Sequence, residues 1–132
     1  MQMEIELMGG DRVDARFGHY RVTTDQGGSA PPPFRLFLAS LGTCAGYYVQ
    51  SFCRAREIPT EGIRIRQTSH TNRETHHVDD VRIEIELPDS FPDKYRAALL
   101  RSVDQCAVKR HLVEPPNVTV GWSTNPTGLP TG

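Results

Sequence analysis

The sequence has no two cysteines at CxxC spacing, no Gly-rich loop opening a helix after a strand, and no local Ser-His-Asp signature. It therefore offers no zinc knuckle, thioredoxin-type motif or phosphate cradle. It also lacks an excess of either charge: 15 Lys and Arg stand against 16 Asp and Glu, interspersed along the chain. Without a basic stripe there is no electrostatic footprint for nucleic acid, and without a run of like charge there is none for an anionic membrane surface. The first residues, Met1-Gln2-Met3-Glu4-Ile5-Glu6, have neither the basic nor the apolar region of a secretory signal, so a cytoplasmic location is expected. The one long apolar run, Phe34 to Cys53, contains Arg35, Ser40, Thr43, Gln50 and Ser51. A lipid-facing helix rarely carries that much polarity, and the run reads as a buried helix of a soluble protein. Three cysteines, an odd number, argue against a structural disulfide framework.

The length of 132 residues suits one domain. We place it at residues 1–122 and expect 123–132, STNPTGLPTG, to be a disordered tail with little to bury. Met3, Ile5 and Leu7 alternate with Glu4 and Glu6, a strand pattern. Val13 to Arg16 and His19 to Thr23 flank Gly18 as a hairpin, and Asp25 to Pro33 is a Gly- and Pro-rich loop. Phe34 to about Arg56 is apolar nearly all round, which predicts a central helix covered on several sides and hence a homodimer. Ile63 and Ile65, then Val81, Ile83, Ile85 and Leu87, mark two half-buried strands, with Arg64 and Arg66 facing Glu84 and Glu86 and a turn within Ser69–Asp80. Ser90 is expected to cap a second long helix that aligns Tyr95, Ala98, Leu99, Ser102, Val103 and Cys106 on one face. Val118, Val120 and Trp122 predict a final strand after Pro115-Pro116. The order gives an α+β fold, a largely antiparallel sheet packed on a long central helix.

Three cysteines and five histidines carry what chemistry there is. Cys44 falls near the middle of the central helix and Cys106 near the end of the second. From spacing alone, both also fit small core hydrophobes. Cys53 follows Cys44 by nine positions, which turns it to the opposite helix face and marks it as structural. Gly42 and Gly46 flank Cys44 one turn apart, a spacing that admits a close neighbour and equally fits a chance pair of glycines. His70, His76 and His77 lie in the polar turn near Glu74, Asp79 and Asp80. A turn of that length is read as solvated, so no metal or other cofactor is expected.

The stretch Pro33-Phe34-Arg35-Leu36-Phe37-Leu38-Ala39-Ser40-Leu41-Gly42-Thr43-Cys44 resembles the P-x-x-L-x-x-A-x-x-x-C entry into the central helix of OsmC/Ohr proteins. Cys106-Ala107-Val108, with Pro115-Pro116-Asn117-Val118-Thr119-Val120 beyond it, resembles that family's second cysteine segment and final strand. The resemblance runs nearly to Trp122. It implies an intertwined homodimer that reduces organic hydroperoxides, with Cys44 as the peroxidatic thiol, Cys106 as the resolving one, a disulfide between them, and an external dithiol as reductant. It also implies an arginine beside the first cysteine. Arg12, Arg16 and Arg21 are the N-terminal candidates, Arg12 foremost, and Arg35 lies about two and a half turns before Cys44. Phe34 and Arg35 stand where the family carries a glutamate, and Ala107 replaces its proline, departures that suggest a divergent branch. Two other functions fit the same residues: a non-catalytic module binding an apolar small molecule, and a thiol redox sensor handling disulfides or sulfur species.

Overall fold

The computed structural model describes residues 1–124. The tail expected at 123–132 lies outside the described residues apart from Ser123 and Thr124. Strands β1 (Glu4–Gly9), β2 (Arg12–Phe17) and β3 (Tyr20–Asp25) are followed by helix α1 (Pro33–Ala55). Strands β4 (Arg64–Thr71) and β5 (Val78–Glu86), a 3-10 turn (Asp93–Tyr95), α2 (Arg96–Val103) and α3 (Ala107–Val113) complete the order. The fold is α+β with antiparallel pairing throughout, as a three-stranded sheet β1-β2-β3 and a separate hairpin β4-β5. Among the described residues no helix is long and apolar enough to cross a membrane.

Helix α1 begins at Pro33, where a missing N–H costs nothing because first-turn donors lack intrahelical acceptors. Its buried residues, Leu41, Ala45, Val49, Phe52 and Cys53, recur at three- and four-residue steps and form one stripe. Val49, Phe52 and Cys53 meet Phe91 and Leu99, with Ile63, Ile65, Ile85, Leu87 and Tyr95 around them. A Cβ on Gly42 would collide with the Gln67 side chain, and one on Gly46 would meet Ile65 Cδ1 at 3.7 Å. The two glycines thus let β4 lie close on the helix. Gln67 Nε2 uses that approach to donate to the Leu38 carbonyl at 2.8 Å.

The β4–β5 register pairs Arg64 with Glu86 and Arg66 with Glu84, as the alternation predicts. The strands reach further into the expected turn than the hydrophobic pattern indicates, to Thr71 and from Val78. Asn72 Oδ1 closes the remaining loop by accepting the N–H groups of Glu74 and Thr75.

Three expectations are corrected. Ser90 makes no capping bond at the start of the second helix. Extended backbone at Pro92 ends the loop, and a 3-10 turn leads into α2. That helix does not reach Cys106. Gln105 and Cys106 donate to Ser102 and Val103, tightening the end of α2, and Cys106 takes an extended conformation (ψ 126°) as the first residue outside α3. Asp104 and Gln105 supply no apolar contact to sustain the helix, whereas the break frees the N–H groups that open α3. Finally, Val118, Val120 and Trp122 form no strand within the chain, and Trp122 is 88% exposed. A strand exists only through a partner ladder, and among the described residues no edge pairs with this segment.

Helix α1 is covered on one side only. Phe34, Phe37 and Tyr47 are exposed, so the expected all-round burial is absent from the single chain. The N-terminal sheet is likewise two-faced. Glu4, Glu6, Asp14, Arg16 and Arg21 share one face and are joined by ion pairs. On the other face Ile5 and Leu7 are open to water, Leu7 at 85%.

Leu99 is fully buried at the centre of the core. Leu99→Ala is expected to lower stability by about 2–5 kcal/mol, read as a reduced urea midpoint. Leu112→Ala, at an exposed position, should move that midpoint little.

Candidate functional site

Cys44 lies on the flank of α1 beside the start of α3, half-buried, with a free thiol. Cys106 immediately precedes α3 and is 3% exposed. The break between α2 and α3 places Cys106 close enough to Cys44 for each thiol to influence the ionisation of the other. Burial pushes the Cys44 thiol up, but its surroundings outweigh that. Cys106 donates to it, the freed N–H groups of Val108 and Ala107 donate to it, and the Arg110 charge acts on it, leaving its pKa below the ordinary thiol value. Cys106 is pushed the other way, first by burial and then by the hydrogen bond with Cys44. Of the pair, the Cys44 thiol is shifted toward ionisation and the Cys106 thiol away from it.

Cys53 is fully buried among Val49, Phe52 and Leu99, and burial raises its pKa. The helical phase that turned it from Cys44 in the sequence holds in the structure.

The N-terminal arginines are engaged elsewhere. Arg12 grips Asp14 with two bonds, Nε–Oδ1 at 3.1 Å and Nη2–Oδ2 at 2.9 Å, and Arg21 Nη1 reaches the same carboxylate at 2.8 Å. The Arg12 bonds hold the shielded Asp14 carboxyl far below the usual carboxylate range despite its desolvation. Arg16 pairs with Glu4 and Glu6. Arg35 lies near the start of α1 beside Pro31, Pro32 and Ala39. Neither Arg12 nor Arg35 acts on the Cys44 thiol within the chain, whereas the Arg110 charge does, as the smallest of the influences on it. Arg110 escaped the sequence reading because it follows the second cysteine by four positions, and only the packing of α3 against α1 presents it to the first.

On the β4–β5 hairpin, His70 Nδ1 lies 2.8 Å from Asp79 Oδ1, and this bond raises the His70 pKa. Among the described residues no three His, Cys, Asp or Glu side chains form a group able to hold a metal ion. A cavity of about 530 Å³ opens beside Cys106 between α1, β5, α2 and α3.

Residues 26–121 match the family model for OsmC-like proteins. Among solved structures, the fold is similar to a Psychrobacter arcticus protein described as a candidate osmotic stress induced and detoxification response protein. That match has a TM-score of 0.70 and 21% identity, covering 83% of this chain and 86% of that one. An OsmC-like protein of Mycoplasma pneumoniae aligns with a TM-score of 0.66 and 13% identity over 87% and 89% of the two chains. An OsmC-like hydroperoxide resistance protein of Jannaschia aligns with a TM-score of 0.57 and 19% identity over 95% and 93%. No curated protein matches the sequence.

Alkylation of the reduced protein by iodoacetamide should modify Cys44 first, because only its thiol is shifted toward ionisation. Its rate should rise with pH at a lower midpoint than those of Cys106 and Cys53. Arg110→Ala should move the Cys44 midpoint upward and slow its alkylation severalfold at pH 7, as peptide mapping of the time course would register. Equal effects from Arg12→Ala or Arg35→Ala would locate the cation there instead.

Proposed function

Because the chain belongs to the OsmC-like protein family, we propose that it reduces organic hydroperoxides, with Cys44 as the attacking thiolate and Cys106 as the resolving thiol. The observation that carries the reading is the adjacency of two free cysteines, Cys44 and Cys106, whose thiols are shifted in opposite directions. The Cys44 thiolate attacks the outer oxygen of the hydroperoxide, the O–O bond breaks, and the alkoxide leaves as alcohol after taking a proton. Cys44 is left as a sulfenic acid. The Cys106 sulfur then attacks Cys44 Sγ, water departs, and a disulfide forms. An external dithiol restores both thiols by exchange. The N–H groups of Ala107 and Val108 and the charge of Arg110 stabilise Cys44 as thiolate in the attacking state.

A homodimer belongs to the same proposal. The exposed aromatics of α1, the open apolar face of β1–β3 and the unpaired Val118–Trp122 segment are surfaces that a second copy would cover. Arg12 and Arg35 would act at Cys44 only from such a copy or after rearrangement.

Stopped-flow oxidation by tert-butyl hydroperoxide tests the chemistry. Wild type should lose two thiols per subunit. Cys106→Ser should stop at sulfenic acid and over-oxidise more readily, and Cys44→Ser should lose the fast reaction. A Cys44 inert to peroxide yet rapidly oxidised by a disulfide or polysulfide would transfer the protein to redox handling of sulfur. Light scattering at micromolar concentration should return twice the subunit mass, and a monomer mass would remove the dimer.

A further inference from the structure

Helix α1 carries Cys44, yet little that is directional ties it to the rest of the chain. Among the described residues, one side-chain hydrogen bond joins α1 to another element: Gln67 Nε2, on β4, donates to the Leu38 carbonyl at 2.8 Å. A carbonyl only accepts, so the amide presents its N–H there. Its oxygen is left against Gly42, where a Cβ would collide with it. The amide thus lies over the Leu38–Gly42 turn, directly before Cys44. The core contacts of α1 lie beyond Cys44 and are apolar: Val49, Phe52 and Cys53 meet Phe91 and Leu99. Apolar contact has no preferred direction, and a slide of one residue moves a helix by about 1.5 Å. Across the hairpin Gln67 pairs with Ile83. Ile83 shares the wall of the cavity beside Cys106 with Leu41 and Ala45 of α1. The bond therefore joins the helix that bears one thiol to the hairpin whose cavity wall the other shares.

We propose that Gln67 is the positioning residue of the thiol pair: its bond to Leu38 fixes the register of α1 on β4, and through it the separation of Cys44 from Cys106. The inference rests on the two-cysteine cycle proposed above. A disulfide accepts Cα separations of about 4.4–6.8 Å. A helix slide of about 1.5 Å covers a large part of that range, so a helix held by apolar contact alone would carry Cys44 in and out of reach of Cys106. Gln67 acts through the backbone of α1 and brings no charge to either sulfur. Gly42 belongs to the same device, because only a residue without a Cβ admits the amide to the helix surface.

The test uses the full chain equilibrated with mixtures of reduced and oxidised glutathione, so that peroxide plays no part. Each protein disulfide formed consumes one glutathione disulfide and releases two glutathione thiols. Samples are quenched in acid, blocked with N-ethylmaleimide and mapped by mass for the Cys44–Cys106 bridge. Gln67→Glu keeps the shape of the side chain and removes the N–H donor. Gln67→Met keeps its length and removes both polar atoms. Each is expected to make the bridge about tenfold harder to form, a rise of about 30 mV in its reduction potential. Gly42→Ala, which expels the amide from the helix, should do the same and serves where a Gln67 variant fails to fold. The urea midpoint of the oxidised variants should fall further than that of the reduced ones, since the coupling is reciprocal. A role in general stability alone would lower both midpoints alike and leave the potential unchanged, and that result would overturn the inference. A wild-type chain that forms no Cys44–Cys106 bridge in any of the mixtures would overturn it together with the cycle. A protein inert to peroxide whose variants still show the raised potential would support the inference and remove only the peroxidase reading.

Discussion

Burial of a single stripe of α1 is the constraint on which the rest of the molecule depends. Once Leu41, Ala45, Val49, Phe52 and Cys53 turn toward Phe91, Leu99 and the β4–β5 hairpin, the helical phase of about 100° per residue fixes every other side chain of the helix. Gly42 and Gly46 fall on the flank where β4 arrives, and their missing Cβ atoms admit it. Cys44 falls on the opposite flank, beside α3, and Cys53 falls within the core. The placement of the chemistry is thus a consequence of which face the helix buries.

The second determinant is the interruption between α2 and α3. A continuous helix would have tied the N–H groups of Ala107 and Val108 into its own ladder. The break leaves them free, and they lower the Cys44 pKa. Two chemically identical side chains thereby acquire different roles. In the proposed cycle the thiol shifted toward ionisation is the nucleophile, and the one that burial shifts the other way is its resolving partner.

Part of the remaining surface is apolar and open to water. The N-terminal sheet commits Arg12 and Arg21 to the shielded Asp14 carboxylate on one face and leaves Ile5 and Leu7 uncovered on the other. Unpaired apolar area of this kind, together with exposed aromatics on α1, is costly in water. The arginines of that sheet are fixed by their own carboxylates, so any part they take at a thiol requires that a competing carboxylate be given up or that a second copy present them differently.

The sequence by itself determined what depends on neighbours along the chain. Alternation of Ile, Val and Leu with Arg and Glu set the β4–β5 strands and their cross-strand charges, Pro33 set the start of α1, and nine-residue spacing separated Cys53 from Cys44. It also offered the resemblance that put Cys44 and Cys106 together. Tertiary structure alone decided the rest. Val118, Val120 and Trp122 carry a strand pattern, but a pattern becomes a strand only where a ladder partner lies alongside. The apolar circumference of α1 was legible, whereas the side that the chain itself covers was not. The ending of α2 before Cys106 follows from packing at both of its ends and has no local signal stronger than Asp104-Gln105. The Arg110 charge acts on Cys44 across 66 positions of sequence, an influence that exists only because α3 folds back on α1. Charge acts through space, and the sequence orders residues along a line.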